Sequence, residues 1–122
     1  MIYNFTQHEP TPEQVIAGVI NLPDDQRETM VKLLSFNDFP YIGDIQRRAN
    51  HLSSIAFAIG AEAVMIGGAP YLMPALELAM SKYGIKVLYS FSQRVSNEYT
   101  DSLGNVVKTN SFKHIGFVEA SK

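Results

Sequence analysis

Residues 63–94 read AVMIGGAPYLMPALELAMSKYGIKVLYSFSQR. The apolar run Ala63–Ile66 ends in Gly67-Gly68. A helix-like segment follows, and after Gly84 a second apolar run spans Ile85–Tyr89. This is the order strand, glycine turn, helix, strand, and a helical crossover between parallel strands needs about this length. In the helix, Leu72, Leu76, Ala79 and Tyr83 recur on one face, and Met73 and Met80 widen it, the spacing of a core-facing stripe. The expected fold is therefore α/β, a mainly parallel sheet flanked by helices. Ligands of such sheets sit outside the carboxyl ends of the strands. Here those ends carry Gly67, Gly68, Ala69, Pro70 and Tyr71 on one side and Ser90, Ser92, Gln93 and Arg94 on the other.

Toward the N-terminus, Ile2–Phe5 reads as a buried first strand. Thr11-Pro12-Glu13-Gln14 starts a helix. Thr11 suits the cap, Pro12 the first helical position, and Gln14 completes a capping box. Gly18 and Asn21-Leu22-Pro23 then interrupt it. A second helix is expected from about Pro23, with Asp24, Asp25 and Glu28 near its positive end and an apolar side of Met30, Val31 and Leu34. Phe36–Pro40 reads as a loop. A longer helix fits Asp44–Ile59, with Gly60 terminating it.

Toward the C-terminus, Val95–Thr100 and Val106–Phe112 are β-rich runs around Asp101-Ser102-Leu103-Gly104-Asn105, a hairpin. His114–Val118 is expected to continue the second strand past a bend or bulge that keeps its large side chains inside. The tail from Glu119 is expected to fray.

With 122 residues and 46% hydrophobic content, one domain spanning 1–122 is expected; chains of this size bury roughly two thirds of their surface. There is no cysteine, and His8, His51 and His114 lack metal-ligand spacing, so no metal and no cofactor is expected. No leader pattern or apolar run of about 18 residues occurs, so a cytoplasmic protein without membrane association is the default. The net charge of −2 hides an asymmetry: residues 1–81 hold 4 basic and 9 acidic side chains, and residues 82–122 hold 6 and 3. A local basic face for an anionic ligand fits this pattern better than a long nucleic acid, whose dedicated binders are strongly basic overall.

Three groups of residues can carry chemistry. Gly67-Gly68-Ala69 lets backbone approach a phosphate or base closely, and Tyr71 can stack on a base. Thr6-Gln7-His8 follows the first strand and offers a hydroxyl, an amide and an imidazole. Ser90, Ser92 and Arg94 follow the last strand of the crossover unit, with Arg94 suited to clamp a phosphate. His8 and Arg94 are the catalytic candidates. His114 and His51 are read as structural.

Three blocks resemble the small CRISPR-associated ring nucleases with CARF-like architecture, and similar small phage and prophage proteins. They are Asn4-Phe5-Thr6-Gln7-His8 with Thr11-Pro12-Glu13-Gln14; Gly68-Ala69-Pro70-Tyr71-Leu72 continuing to Leu88–Arg94; and Asp101–Lys108 with Ser111-Phe112-Lys113-His114. The resemblance implies a homodimer or higher homo-oligomer that binds a cyclic oligonucleotide, of the cyclic oligoadenylate type, at the strand ends. It implies binding through Thr6, Gln7, His8, Gly68, Ala69, Tyr71, Ser92 and Arg94, and either metal-independent cleavage through a ribose 2′-hydroxyl or simple sequestration. Two alternatives stay open: a non-enzymatic phage or prophage interaction protein with a structural glycine turn, and a small enzyme acting on a mononucleotide.

Overall fold

The computed structural model describes residues 1–120. The crossover unit forms as its sequence requires. Strand β3 (Ala63–Ile66) leads through the glycine pair to α4 (Met73–Lys82), and α4 returns to β4 (Lys86–Thr100). Around it stand β1 (Ile2–Phe5), α1 (Pro12–Ile16), β2 (Val19–Ile20), α2 (Asp24–Leu34), α3 (Ile42–Ala58) and β5 (Val106–Glu119). The sheet has five strands in the order β2-β1-β3-β4-β5. The first three pairings are parallel, and β4 with β5 is antiparallel. The protein is thus α/β with a mixed, mostly parallel sheet.

Alternation along the strands sorts the two faces. Phe5, Val64, Ile66 and Val87 point into one apolar cluster with Met30, Leu34, Leu52, Leu72, Leu76 and Met80 from the three longer helices. The crossover helix buries Leu72, Met73, Leu76, Ala79 and Met80, as its periodicity requires. Tyr83 departs from that stripe: it caps the helix, stays 44% exposed and stacks on Phe57 with ring centroids 4.7 Å apart. Arg48 of α3 closes the carboxyl end of α2. It donates to the carbonyls of Leu33 and Ser35, pairs with Asp44 at 2.8 Å, and lies 4.2 Å over the Phe36 ring. The second face carries Asn4, Met65, Leu88 and Ser90. The five-residue α1 touches both edge strands, β2 and β5.

Four expectations change. Val19-Ile20 is a strand, where the sequence suggested only a break; Gly18 reaches φ +103° and lets the chain turn directly into it. Ser90–Arg94 is not a rim loop. β4 runs on without interruption to Thr100, because β5 continues the hydrogen-bonded ladder beside it. The register does slip between Phe91 and Ser92, leaving Ile115 as the extra residue, but Phe112 and Ile115 remain 76% and 52% exposed rather than inside. β5 is also ordered through Glu119, and the Ala120 amide donates to the Val87 carbonyl at 2.9 Å. Expectations for residues 121–122 lie outside the described residues. At the hairpin tip Gly104 takes φ +82°, and Asp101 Oδ1 accepts the amides of Leu103 and Asn105, each at 2.9 Å. No helix among the described residues is long and apolar enough to cross a membrane.

Candidate functional site

Parallel strands leave their last carbonyls and the loops after them at one end of the sheet. At that end lies a cleft of about 390 Å³. From the loop after β1 it is lined by Thr6, Gln7, His8 and Glu9. Ile66, Gly67 and Gly68 line it from the end of β3, and Tyr89, Ser90 and Ser92 from β4. Thr11 and Gln14 line it from the start of α1. A second groove of about 410 Å³ runs between α3 and α4 and shares no residue with this cleft.

Seven expected residues are brought together here: Thr6, Gln7, His8, Gly67, Gly68, Ser90 and Ser92. Ala69, Tyr71 and Arg94 are not part of the lining. Tyr71 packs edge-on against Phe36, with ring centroids 5.0 Å apart. Arg94 is exposed on the hairpin opposite Phe112, past the point where β4 leaves β3. Gln7 contributes its side chain to the wall, but its amide nitrogen already donates to Ser35 Oγ at 2.7 Å.

The β1 loop owes its shape to Asn4, a polar residue within the apolar strand β1. Asn4 is fully buried. Its Oδ1 accepts the Thr6 amide at 3.0 Å and the Thr6 hydroxyl at 2.6 Å. Its Nδ2 donates to the His8 carbonyl at 2.8 Å and to Asn21 Oδ1 at 3.0 Å. Arg27 also donates to Asn21 Oδ1, at 3.1 Å, and pairs with Glu9 at 3.2 Å. A buried amide is tolerated only when its polar atoms are satisfied, and satisfying them here folds residues 6–9 over the strand end.

The opposite wall is held by α1. The capping box forms: Thr11 Oγ1 accepts the Gln14 amide at 3.2 Å, and Gln14 Oε1 accepts the Thr11 amide at 3.0 Å. The remaining side-chain nitrogen of Gln14 donates to Ser90 Oγ at 3.0 Å. Ser90 Oγ also lies 2.8 Å from His114 Nδ1. The His114 ring in turn packs on Phe117, centroids 4.8 Å apart. His114 thus stands directly behind the cleft wall. Only the strand register and its bulge bring it there, so no sequence spacing signals it.

Gly67 and Gly68 form the floor. Gly68 takes φ +144°, a backbone that side-chain-bearing residues rarely adopt. A Cβ at Gly67 would stand 3.5 Å from Thr6 Cγ2, so the two loops touch at ordinary packing distance. Tyr89 directs its hydroxyl away, donating to Glu77 at 2.9 Å. Burial, then the hydrogen bond to Glu77 and its negative charge, push this phenol up to about 12. Among the described residues, no group of three or more His, Asp or Glu is placed to hold a metal ion. Among the described residues the lining contains neither lysine nor arginine and holds the carboxylate of Glu9. Its recognition capacity therefore comes from hydroxyls, amides, an imidazole and glycine backbone.

A family model covers residues 1–118, which includes all the elements described above except the last residue of β5. The chain belongs to the uncharacterized protein MJ1673 family. Because the match spans both the β1 loop and the hairpin, the whole cleft falls within the family's extent. No curated protein and no solved structure matches the chain.

Proposed function

We propose that this protein binds a cyclic oligonucleotide signal of the oligoadenylate type, as a CARF-like, Rossmann-like domain. The observation that carries the reading is the cleft at the carboxyl ends of β1 and β3, beside Tyr89, Ser90 and Ser92 of β4, floored by Gly67-Gly68 and walled mostly by neutral polar side chains. Small-molecule sites run from roughly 300 to 1,000 Å³, and this cleft is at the small end, so it takes one nucleotide unit rather than a whole ring. The rest of the ligand then extends over the hairpin, where Arg94 shares the face of Ser90 and Ser92 and offers a cation to a phosphate.

A homodimer completes the reading. Among the described residues, the strand β4 beyond Leu88 has only β5 as a partner, and an isolated two-stranded ribbon is marginal in water. Phe91, Val95 and Tyr99, with Val107 opposite Tyr99, share one face of this arm, and Phe91 and Tyr99 are about half exposed. A second copy of the arm covers such a face and sets two clefts around one ring.

The test is a thermal-shift screen of the purified protein against cyclic di-, tri- and tetranucleotides without added metal, with the ligand recovered for mass spectrometry. Light scattering on the same sample gives the oligomeric state. A shift of several degrees with intact ligand supports sequestration, and a shift with linear products supports cleavage. No shift with any ring, beside a stable protein partner, favours an interaction protein instead.

A further inference from the structure

Ser90 Oγ belongs both to the cleft wall and to a hydrogen-bonded chain that runs behind it. The orientation of Gln14 is set by its own helix cap. Its Oε1 takes the Thr11 amide, so Nε2 is the atom that donates to Ser90. That occupies one lone pair of the serine oxygen. On its other side is His114 Nδ1 at 2.8 Å. With the ring proton on Nε2, Nδ1 accepts the Ser90 O–H, and the second lone pair of Ser90 stays open for a ligand hydroxyl. His114 is half-buried and does not line the cleft, so a ligand reaches it through Ser90. His8 differs: it is an exposed side chain on the β1 loop, anchored through its backbone carbonyl.

We infer that Ser90 and His114 form a proton relay serving the cleft. The inference rests on the nucleotide reading above and narrows its chemistry to a phosphodiester with a neighbouring ribose 2′-hydroxyl. The 2′ O–H donates to Ser90 Oγ while the Ser90 proton passes to His114 Nδ1. The bond from the 2′-oxygen to phosphorus forms, and the bond from phosphorus to the 5′-oxygen breaks. The leaving 5′-oxygen takes a proton from water in the open cleft, and His114 then returns its proton to solvent. The products carry a 2′,3′-cyclic phosphate and a 5′-hydroxyl. Imidazole suits this role because its ring nitrogens can both accept and release a proton, and Gln14 holds the serine in place throughout.

The experiment measures affinity by calorimetry and single-turnover cleavage by mass spectrometry, with cyclic tri- and tetra-adenylate as probes. Ser90→Ala and His114→Gln are expected to cut the cleavage rate by about 100-fold or more, the usual scale of proton-transfer assistance, while affinity falls by less than about tenfold. Ser90→Thr keeps the hydroxyl and is expected to retain cleavage. Added imidazole is expected to restore part of the rate in His114→Ala, which a purely structural role does not predict. Undiminished cleavage in both Ser90→Ala and His114→Gln overturns the relay and leaves the nucleotide reading standing. Parent protein that binds a ring but never cleaves it also overturns the relay and leaves a sequestering protein. Parent protein that binds neither ring overturns both.

Discussion

The Gln14 side chain donates to Ser90 Oγ at 3.0 Å, joining a helix cap near the N-terminus to the strand that enters the hairpin, 76 residues later. The same side chain closes the capping box with Thr11. Replacing Gln14 by Ala removes both contacts. We expect a loss of about 1–2 kcal/mol, from the cap and one buried hydrogen bond. Ser90→Ala in the same background should add less than it does alone, because the two side chains share a bond. Denaturant melts of the two single variants and the double variant measure this, and strict additivity would show that the bond contributes nothing.

Asn4 organises the other wall. Asn4→Leu keeps the branched shape and the number of side-chain heavy atoms but strips the loop of its internal partners, leaving the Thr6 amide and the His8 carbonyl to find water. A cost of about 2–3 kcal/mol is expected, with ligand affinity falling further than stability alone explains, because residues 6–9 lose their shape. A variant as stable as the parent would mean the loop is held by something other than Asn4.

Gly68 stands at φ +144° with Met73 Cε 3.8 Å from where a Cβ would be. There is room for a methyl group, so Gly68→Ala is strained by backbone conformation rather than by collision. About 1–2 kcal/mol of destabilisation is expected. Gly67→Ala has an ordinary φ and a 3.5 Å contact to Thr6, and should cost less. Thermal melts that rank Gly67→Ala below Gly68→Ala in stability would contradict this.

Tyr89 provides a pH signature. Its folded pKa is raised to about 12 from an ordinary value of 10.0. The neutral phenol is favoured in the folded state, so the stabilisation is fully present below about pH 10 and is lost as pH rises through about 12. Ultraviolet titration should show one phenol ionising late. Glu77→Gln should move that midpoint down by removing the carboxylate, and a midpoint unmoved by the substitution would leave burial as the sole cause.

Local signals carry much of the architecture. The glycine turn and helical stripe of residues 63–89 specify the crossover. Thr11, Pro12 and Gln14 specify the cap, and Gly104 the hairpin tip. These are short-range effects of backbone freedom and periodic burial, legible wherever neighbouring residues agree. From such elements the position of the cleft, and its residues Thr6, Gln7, His8, Gly67 and Gly68, follow by the rule of strand ends, whereas Ser90 and Ser92 line it from within β4, just past its pairing with β3.

Tertiary structure alone decided the rest. Ser90–Arg94 is polar enough to read as a loop, yet it is strand because a distant segment supplies the ladder partner, and this carries Arg94 out of the cleft. Asn4 looks like an interruption in an apolar run, but its partners lie in two separate loops. His114 meets Ser90 only through the register of the hairpin and one bulged residue. Each of these depends on which segment pairs with which and at what offset. That choice is made by the summed burial and hydrogen bonding of the whole sheet, which no local stretch of sequence contains.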